Sequence, residues 1–440
     1  MTDRPGAGDR PEDRRWGFRT RAVHAGAVPD AATGARATPI YQSTSFVFTD
    51  TTDAATLFAL QKYGLIYSRI GNPTVSVFEE RIASLEGGLG AVATASGQAA
   101  EFLTFAALAG AGDHIVAAAG LYGGTITQLD VTLRRFGVDT VFVSGGRAED
   151  FAAAITPRTK LLFAEVVSNP SGDVADIAAL ADVAHAAGLP LVVDATMATP
   201  YLCRPIEFGA DIVIHSATKF LGGHGTTIGG VVVESGRFDW GNGKFPLMTE
   251  PVPSYGGLTW WGNFKEFGFL TKLRAEQLRD IGATLSAQSA FLLLQGVETL
   301  PQRMEAHVAN ARIVAEWLAA DPRVSYVRWA GLPDHPHHDR AARYLPKGPG
   351  AVFSFGVAGG REAGQRFIES VQLASHLANI GDARTLVIHP GSTTHQQLTD
   401  DQLRDAGVPP DLVRISVGIE DPEDILWDLD QALAAAVKEA

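Results

Sequence analysis

The sequence of 440 residues holds one cysteine, Cys203. No disulfide can form within the chain, and a reducing compartment is the natural expectation. Positive charge is in deficit: 36 Lys and Arg stand against 49 Asp and Glu, for a net charge of −13. A protein that grips nucleic-acid backbones needs clustered Lys and Arg, so no nucleic-acid partner is expected. No apolar run is long enough to span a membrane. The opening MTDRPGAGDRPEDRRWGFRT lacks the apolar stretch of a secretory signal. The expectation is a cytoplasmic protein with no membrane partner. Nucleotide motifs are missing as well. G-x-x-x-x-G-K-[ST] places glycines ahead of the lysine, whereas in HSATKFLGGHG (His215–Gly225) they follow Lys219. No G-x-G-x-x-G follows the first strand-like segment.

What is present is apolar content, 46% of residues, enough for a large core and two or three domains. Up to about Asp50 the chain reads as an irregular arm that cannot bury itself, with an unstructured leader to about residue 20. From Val75 helical patterns such as VFEERIASLEGG and GQAAEFLTFAALAGAG alternate with apolar runs. AVATA, HIVAAA, DTVFVSG, KLLFAEVV, LPLVVDA and ADIVIHSA read as strands. Strands apolar throughout, separated by helices, predict an α/β domain with a mostly parallel sheet covered on both faces. Between Gly236 and Phe269 the pattern gives way to Gly, Pro and aromatics, which reads as a long loop or insertion. A helical stretch then leads to VSYVRW, AVFSFGV, REAGQRFIESV and RISVGI, the pattern of a smaller α+β domain. The expected division is an arm over 1–75, a large domain over 76–285 with the insertion 236–269, and a C-terminal domain over 286–440.

Ligands of open α/β sheets collect at the carboxyl ends of strands. Asp194 ends the strand LPLVVDA, and a carboxylate there is costly unless paired. Ser96, Gly97 and Gln98 form a strand-to-helix turn that can receive an anion. Tyr122 follows another strand. Ser216, Thr218 and Lys219 follow ADIVIH. Taken singly, each has an ordinary reading as cap, turn or packing residue. Together they supply the four parts that pyridoxal 5′-phosphate requires: an amine to bond it, an acid for its ring nitrogen, an anion site and an aromatic platform. The histidines of DHPHHDR (His335, His337, His338) lack a Cys or spaced carboxylate beside them, so a solvated loop is expected and no metal. Cys203, in YLCRP, reads as a packed or semi-exposed thiol.

SATKFLGGH resembles the lysine signature of the Cys/Met-metabolism pyridoxal-phosphate enzymes. YSRIGNPT (Tyr67–Thr74), SGQAA (Ser96–Ala100), LYGGT (Leu121–Thr125), SNPSG (Ser168–Gly172), VVDAT (Val192–Thr196) and VRISVGIEDPEDI (Val413–Ile425) follow in family order. The likeness runs from about Thr20 to the C-terminus. It implies the aspartate-aminotransferase-like fold (fold type I), with a mostly parallel central sheet and a smaller α+β C-terminal domain. It implies that Lys219 bonds the cofactor and moves protons, and that Asp194, beside Thr196, pairs with the ring nitrogen. Tyr122 would stack on the ring and take part in catalysis. Ser96, Gly97, Gln98, Ser216 and Thr218 would hold the phosphate, and Asn169 would lie near the phenolic oxygen. Tyr67 and Arg69 resemble residues lent by a neighbouring subunit, Tyr67 to chemistry and substrate and Arg69 to the phosphate. Arg414 would clamp the substrate carboxylate, whose planar partner suits a guanidinium.

Gln98, the segment HLANIGDARTLVIHPGSTTHQQL with Asn379, and the Gly236–Phe269 insertion resemble the branch of the family acting on O-acetylhomoserine. That likeness implies γ-replacement, in which sulfide displaces acetate from O-acetyl-L-homoserine to give L-homocysteine. O-succinylhomoserine sulfhydrylation, cystathionine γ-synthesis and methionine γ-elimination are the alternatives on the same scaffold. A homotetramer with shared active sites is the family expectation.

Overall fold

The computed structural model describes residues 16–169, 171–394, 396, 399–401 and 407–437. Pro170 of the SNPSG motif, His395, Gln397 and Leu398 of HPGSTTHQQL, and the first fifteen residues of the leader lie outside them.

Seven strands form the central sheet: β1 (Gly90–Thr94), β2 (His114–Ala118), β3 (Asp139–Val143), β4 (Thr159–Glu165), β5 (Leu191–Asp194), β6 (Ile212–Ser216) and β7 (Gly230–Glu234). Their order is β1-β7-β6-β5-β4-β2-β3. Strands β2 to β6 pair in parallel, while β7 runs antiparallel to both β6 and β1. The sheet is therefore mixed. The strand that runs against the rest, GVVVE, is the one the periodicity did not single out, because the glycines of HGTTIGG mask its start. Gly230 opens it for a steric reason: a Cβ there would lie 2.1 Å from the Ser96 carbonyl oxygen.

Local signals set the flanking helices. Pro73–Glu86 starts at the Asn72 cap with proline in its first turn and ends at Gly87, φ +79°. Gly97–Leu108 starts at Ser96, whose side chain accepts the Ala99 N–H at 3.1 Å. Both faces of the sheet are covered by buried apolar side chains. One face includes the insertion, which is not a bare loop. Trp240, Phe245, Met248, Trp260 and Phe269 are all buried, and Trp240 stacks on Phe269 with centroids 5.2 Å apart. Large aromatic area outweighs the turn-rich backbone of this segment.

The second sheet joins β8 (Val324–Arg328), β9 (Val352–Val357), β10 (Ser375–His376), β11 (Leu386–Ile388) and β12 (Leu412–Ser416) in the order β10-β11-β12-β9-β8. The helices Ala287–Glu298 and Leu300–Ala320 link it to the first.

The arm differs from the sequence reading. Phe18–His24 is a helix, although an unstructured leader is expected to about residue 20. The buried Arg81 anchors its end, donating to the carbonyls of Ala22 at 3.0 Å and Ala25 at 2.7 Å. Beyond it Val47 and Tyr63 are exposed, at 99% and 81%. The DHPHHDR histidines are half-buried rather than solvated: His337 Nδ1 accepts the Val174 N–H at 3.0 Å. Cys203 is buried, and burial pushes its thiol pKa up. No helix of the described residues is long and apolar enough to cross a membrane.

Candidate active site

A cavity of about 260 Å³ opens at the carboxyl ends of β4, β5 and β6. Ser96, Gly97, Gln98, Tyr122, Asn169, Asp194, Thr196, Ser216, Thr218, Lys219, Asn379 and Arg414 all line it. Tyr67 and Arg69 do not. Arg69 donates to the Arg279 carbonyl, and its guanidinium sits 5.5 Å from the exposed Tyr67 ring.

Lys219 follows β6 on a tight turn and is half-buried. Its Nζ donates to Asn379 Oδ1. Burial, and the nearby Arg414 guanidinium, lower the amine to about 8. Arg414 comes from β12 and donates to the Asn379 carbonyl at 3.2 Å and to Asn169 Oδ1 at 3.4 Å. Burial lowers it to about 10, so it remains a cation at neutral pH. Among the described residues it has no carboxylate partner. Asn379 thus joins the two cations of the cavity, one through its side chain and one through its backbone.

Asp194 accepts the Thr196 N–H at 2.8 Å, and the Thr196 hydroxyl in turn accepts the Ser216 N–H at 2.8 Å. Thr196 therefore links Asp194 of β5 to the Ser216 backbone of β6. Ser216 keeps its own hydroxyl free of protein partners among the described residues. Thr218 does not: its hydroxyl lies 3.1 Å from both the Gly229 carbonyl and the Gly229 N–H. The Gly97 and Gln98 N–H groups open a helix and have no acceptor within it. A Cβ on Gly97 would meet Ser216 Cβ at 2.6 Å, so a side chain would fill this cradle. An amine with no carboxylate partner among the described residues, an acid, a glycine-lined cradle and a tyrosine at the rim fit pyridoxal phosphate.

Two further carboxyls line the cavity that sequence reasoning missed, Glu101 and Glu165. Glu165 ends β4 opposite Asp194 in the parallel register, and its Oε1 accepts the Tyr122 N–H at 2.6 Å. Its signal was the strand-end rule that found Asp194, applied to KLLFAEVV. Glu101 takes the Thr125 hydroxyl at 2.9 Å, from the first turns of the helix that begins at Gly97. Nothing short-range marks it. Burial raises all three acids, and the charge of Asp194 raises the two glutamates further.

The family model for Cys/Met metabolism PLP-dependent enzymes matches residues 19–434. The chain belongs to that family. As a Cys/Met metabolism enzyme it depends on pyridoxal phosphate. It is 52% identical over 422 residues to the sulfhydrylase FUB7 of Fusarium oxysporum f. sp. lycopersici, covering 95% of this chain and 98% of the relative. It is 50% identical over 423 residues to the O-acetyl-L-homoserine sulfhydrylase of Leptospira meyeri, covering 94% and 96%. A Campylobacter jejuni crystal structure carrying a pyridoxyl-lysine monophosphate superposes with a TM-score of 0.92 at 35% identity. That alignment covers 95% of this chain and all of the other. The enzyme is fold type I, with a mixed central sheet and a second, smaller sheet.

Proposed function

We propose that the enzyme replaces the acetate of O-acetyl-L-homoserine with sulfide, giving L-homocysteine and acetate. The observation that supports this most is the Lys219–Asn379–Arg414 arrangement, in which a low-pKa amine lies beside a guanidinium with no carboxylate partner among the described residues. The Arg414 fork receives the α-carboxylate of the amino acid. That places the α-carbon within range of Lys219 Nζ, whose pKa near 8 lets it accept a proton near neutral pH and return it. Asp194 would keep a proton on the ring nitrogen of a bound cofactor, and Glu165 holds the Tyr122 backbone at the rim. Pyridoxal phosphate, when bound, supplies an electrophilic carbon for amines and a ring that accepts the electrons released at the α-carbon. Among the described lining residues Lys219 and Arg414 are the cations, while Met197, Ile228 and Ala378 are apolar. That balance favours an uncharged acetyl group over a succinyl carboxylate.

A substrate panel tests the reading. Purified enzyme receives O-acetyl-, O-succinyl- and O-phosphohomoserine and O-acetylserine, each with sulfide, methanethiol or cysteine. Homocysteine should form fastest from the acetyl ester and sulfide. Faster turnover of the succinyl ester, or rapid α-ketobutyrate release from methionine, refutes it.

We further propose that Tyr67 and Arg69 serve a neighbouring subunit's cavity in a homotetramer, with the exposed arm lying against that subunit. A reducing cytoplasm suits the single buried thiol. Arg69→Ala and Lys219→Ala should each be inactive alone. Mixed and reassembled in equal amounts, they should regain about a quarter of wild-type activity, because half the dimers carry one intact site. No recovery, with mixed dimers confirmed by mass, would place Arg69 outside a shared site.

A further inference from the structure

The helix Leu300–Ala320 carries three buried polar residues at i, i+4 and i+7: Arg303, His307 and Asn310. Such a stripe is unusual on a face turned into a core. Its partners are specific. Arg303 donates to the carbonyls of Phe220 at 2.8 Å, Leu221 at 3.2 Å and Gly296 at 2.6 Å. Phe220 and Leu221 directly follow Lys219, and no backbone N–H among the described residues bonds to their carbonyls. A guanidinium that caps such carbonyls fixes the turn that presents them. The glycines after Lys219 make room for it. A Cβ on Gly223, φ +71°, would lie 2.0 Å from Arg303 Nη1, and one on Gly296 would lie 2.2 Å from the Gly222 carbonyl oxygen. Arg303 is 5% exposed and has no carboxylate within ion-pair reach among the described residues.

The other end of the stripe holds the segment that follows Arg414. His307 Nδ1 pairs with the Val417 carbonyl at 2.8 Å. Asn310 Nδ2 donates to the Glu420 carbonyl at 2.7 Å and the Gly418 carbonyl at 3.2 Å. The His307 ring also meets the Phe220 ring edge-on at 5.1 Å.

We propose that this stripe is a positioning device that sets Lys219 and Arg414 at a fixed separation, with Arg303 holding the turn that carries the amine and Asn310 the segment that follows the carboxylate clamp. It rests on the proposed function only in assigning the clamp to a substrate carboxylate. A single rigid helix is a suitable ruler, since small misplacements of reacting groups cost large factors in rate.

The test compares holoenzymes of Arg303→Met, Arg303→Lys and Asn310→Leu with Leu318→Ala, a core truncation lower on the same helix. Three quantities are read: kcat, KM for the acyl donor, and the rate at which apo protein attaches added cofactor to Lys219. The last is measured from the borohydride-fixed mass of the Lys219 peptide. Arg303→Met should slow attachment and kcat about tenfold while leaving KM within about twofold. Asn310→Leu should raise KM about tenfold and leave attachment at the wild-type rate. Leu318→Ala should lower Tm and leave attachment and KM unchanged. Equal changes in kcat, KM and attachment in all variants, in proportion to lost Tm, would overturn the proposal. Should Arg303→Met fail to fold, Arg303→Lys decides: it keeps the charge but not the fork, and wild-type attachment in it refutes the clamp. Attachment needs no acyl donor. Wild-type protein that attaches cofactor but makes no homocysteine would refute the function and leave this inference standing.

Discussion

Lys219→Ala is expected to lower turnover by about 10⁴-fold, the largest loss of any single change in this enzyme. On the proposed function the residue does two things, bond the cofactor and move protons beside the substrate, and alanine can do neither. Its local structure allows this loss without unfolding, because the backbone of the turn is held by Arg303 and Ala383 and not by the amine. The protein should stay folded, bind cofactor without a covalent link, and show no added mass on this peptide after borohydride. A second measurement checks why lysine works here. Folding lowers the amine from 10.5 to about 8, so the folded protein releases this proton earlier than an unfolded chain does. Stability should therefore rise with pH between those two values and fall off as pH drops toward 8, where the amine must charge in a half-dry site. Amine labelling of cofactor-free protein should find Lys219 titrating near pH 8, well ahead of surface lysines. Lys219→Ala with more than a hundredth of wild-type turnover, or Lys219 labelling in step with the surface, would overturn the assignment.

Asp194→Asn should cost about 10²–10³ in kcat. Asparagine keeps the shape, and its Oδ1 can still accept the Thr196 N–H that Asp194 now takes at 2.8 Å. What it loses is the charge that, on the proposed function, keeps a proton on the ring nitrogen. The change also reaches its neighbours. Part of the upward push on Glu101 and Glu165 comes from the Asp194 charge. Removing that charge should bring both part of the way back toward the ordinary carboxylate range, so each should ionise at lower pH than in wild type. Infrared difference spectra across a pH titration read this as a shift of the protonated-carboxyl bands to lower pH. A kcat within about threefold of wild type would remove Asp194 from the machinery.

How far the sequence led depended on the range of the interactions involved. Lys219, Asp194 and Ser216 were legible because each stands at or just after the carboxyl end of an apolar strand, where a polar residue needs a reason. Glu165 was equally legible by that rule, but no one-dimensional cue pairs it with Asp194; their shared register does. Glu101 and Arg303 were not legible. Each sits in an ordinary helical pattern, and each acquires its meaning from a partner supplied by a distant part of the chain, Thr125 for one and the Lys219 turn for the other. The strand β7 is hidden by the glycines at its start, of which Gly230 lets Ser96 pass close by. The segment Gly236–Phe269 reads as a long loop or insertion because its turn residues are conspicuous locally, while the aromatic stacking that orders it is tertiary.

The antiparallel β7 has a consequence in time. The strand β1 has no hydrogen-bonded neighbour in the sheet other than β7, and Gly90 pairs with Glu234. During synthesis, β1 and the Ser96–Gln98 turn emerge long before their partner does, and β6 remains an open edge until β7 arrives. The anion cradle is therefore built from the two ends of one long chain closure, with Lys219 synthesised just ahead of the strand that completes it. A nascent chain has no finished cofactor pocket until that closure is made, so folding of the large sheet and competence to hold the cofactor are one event.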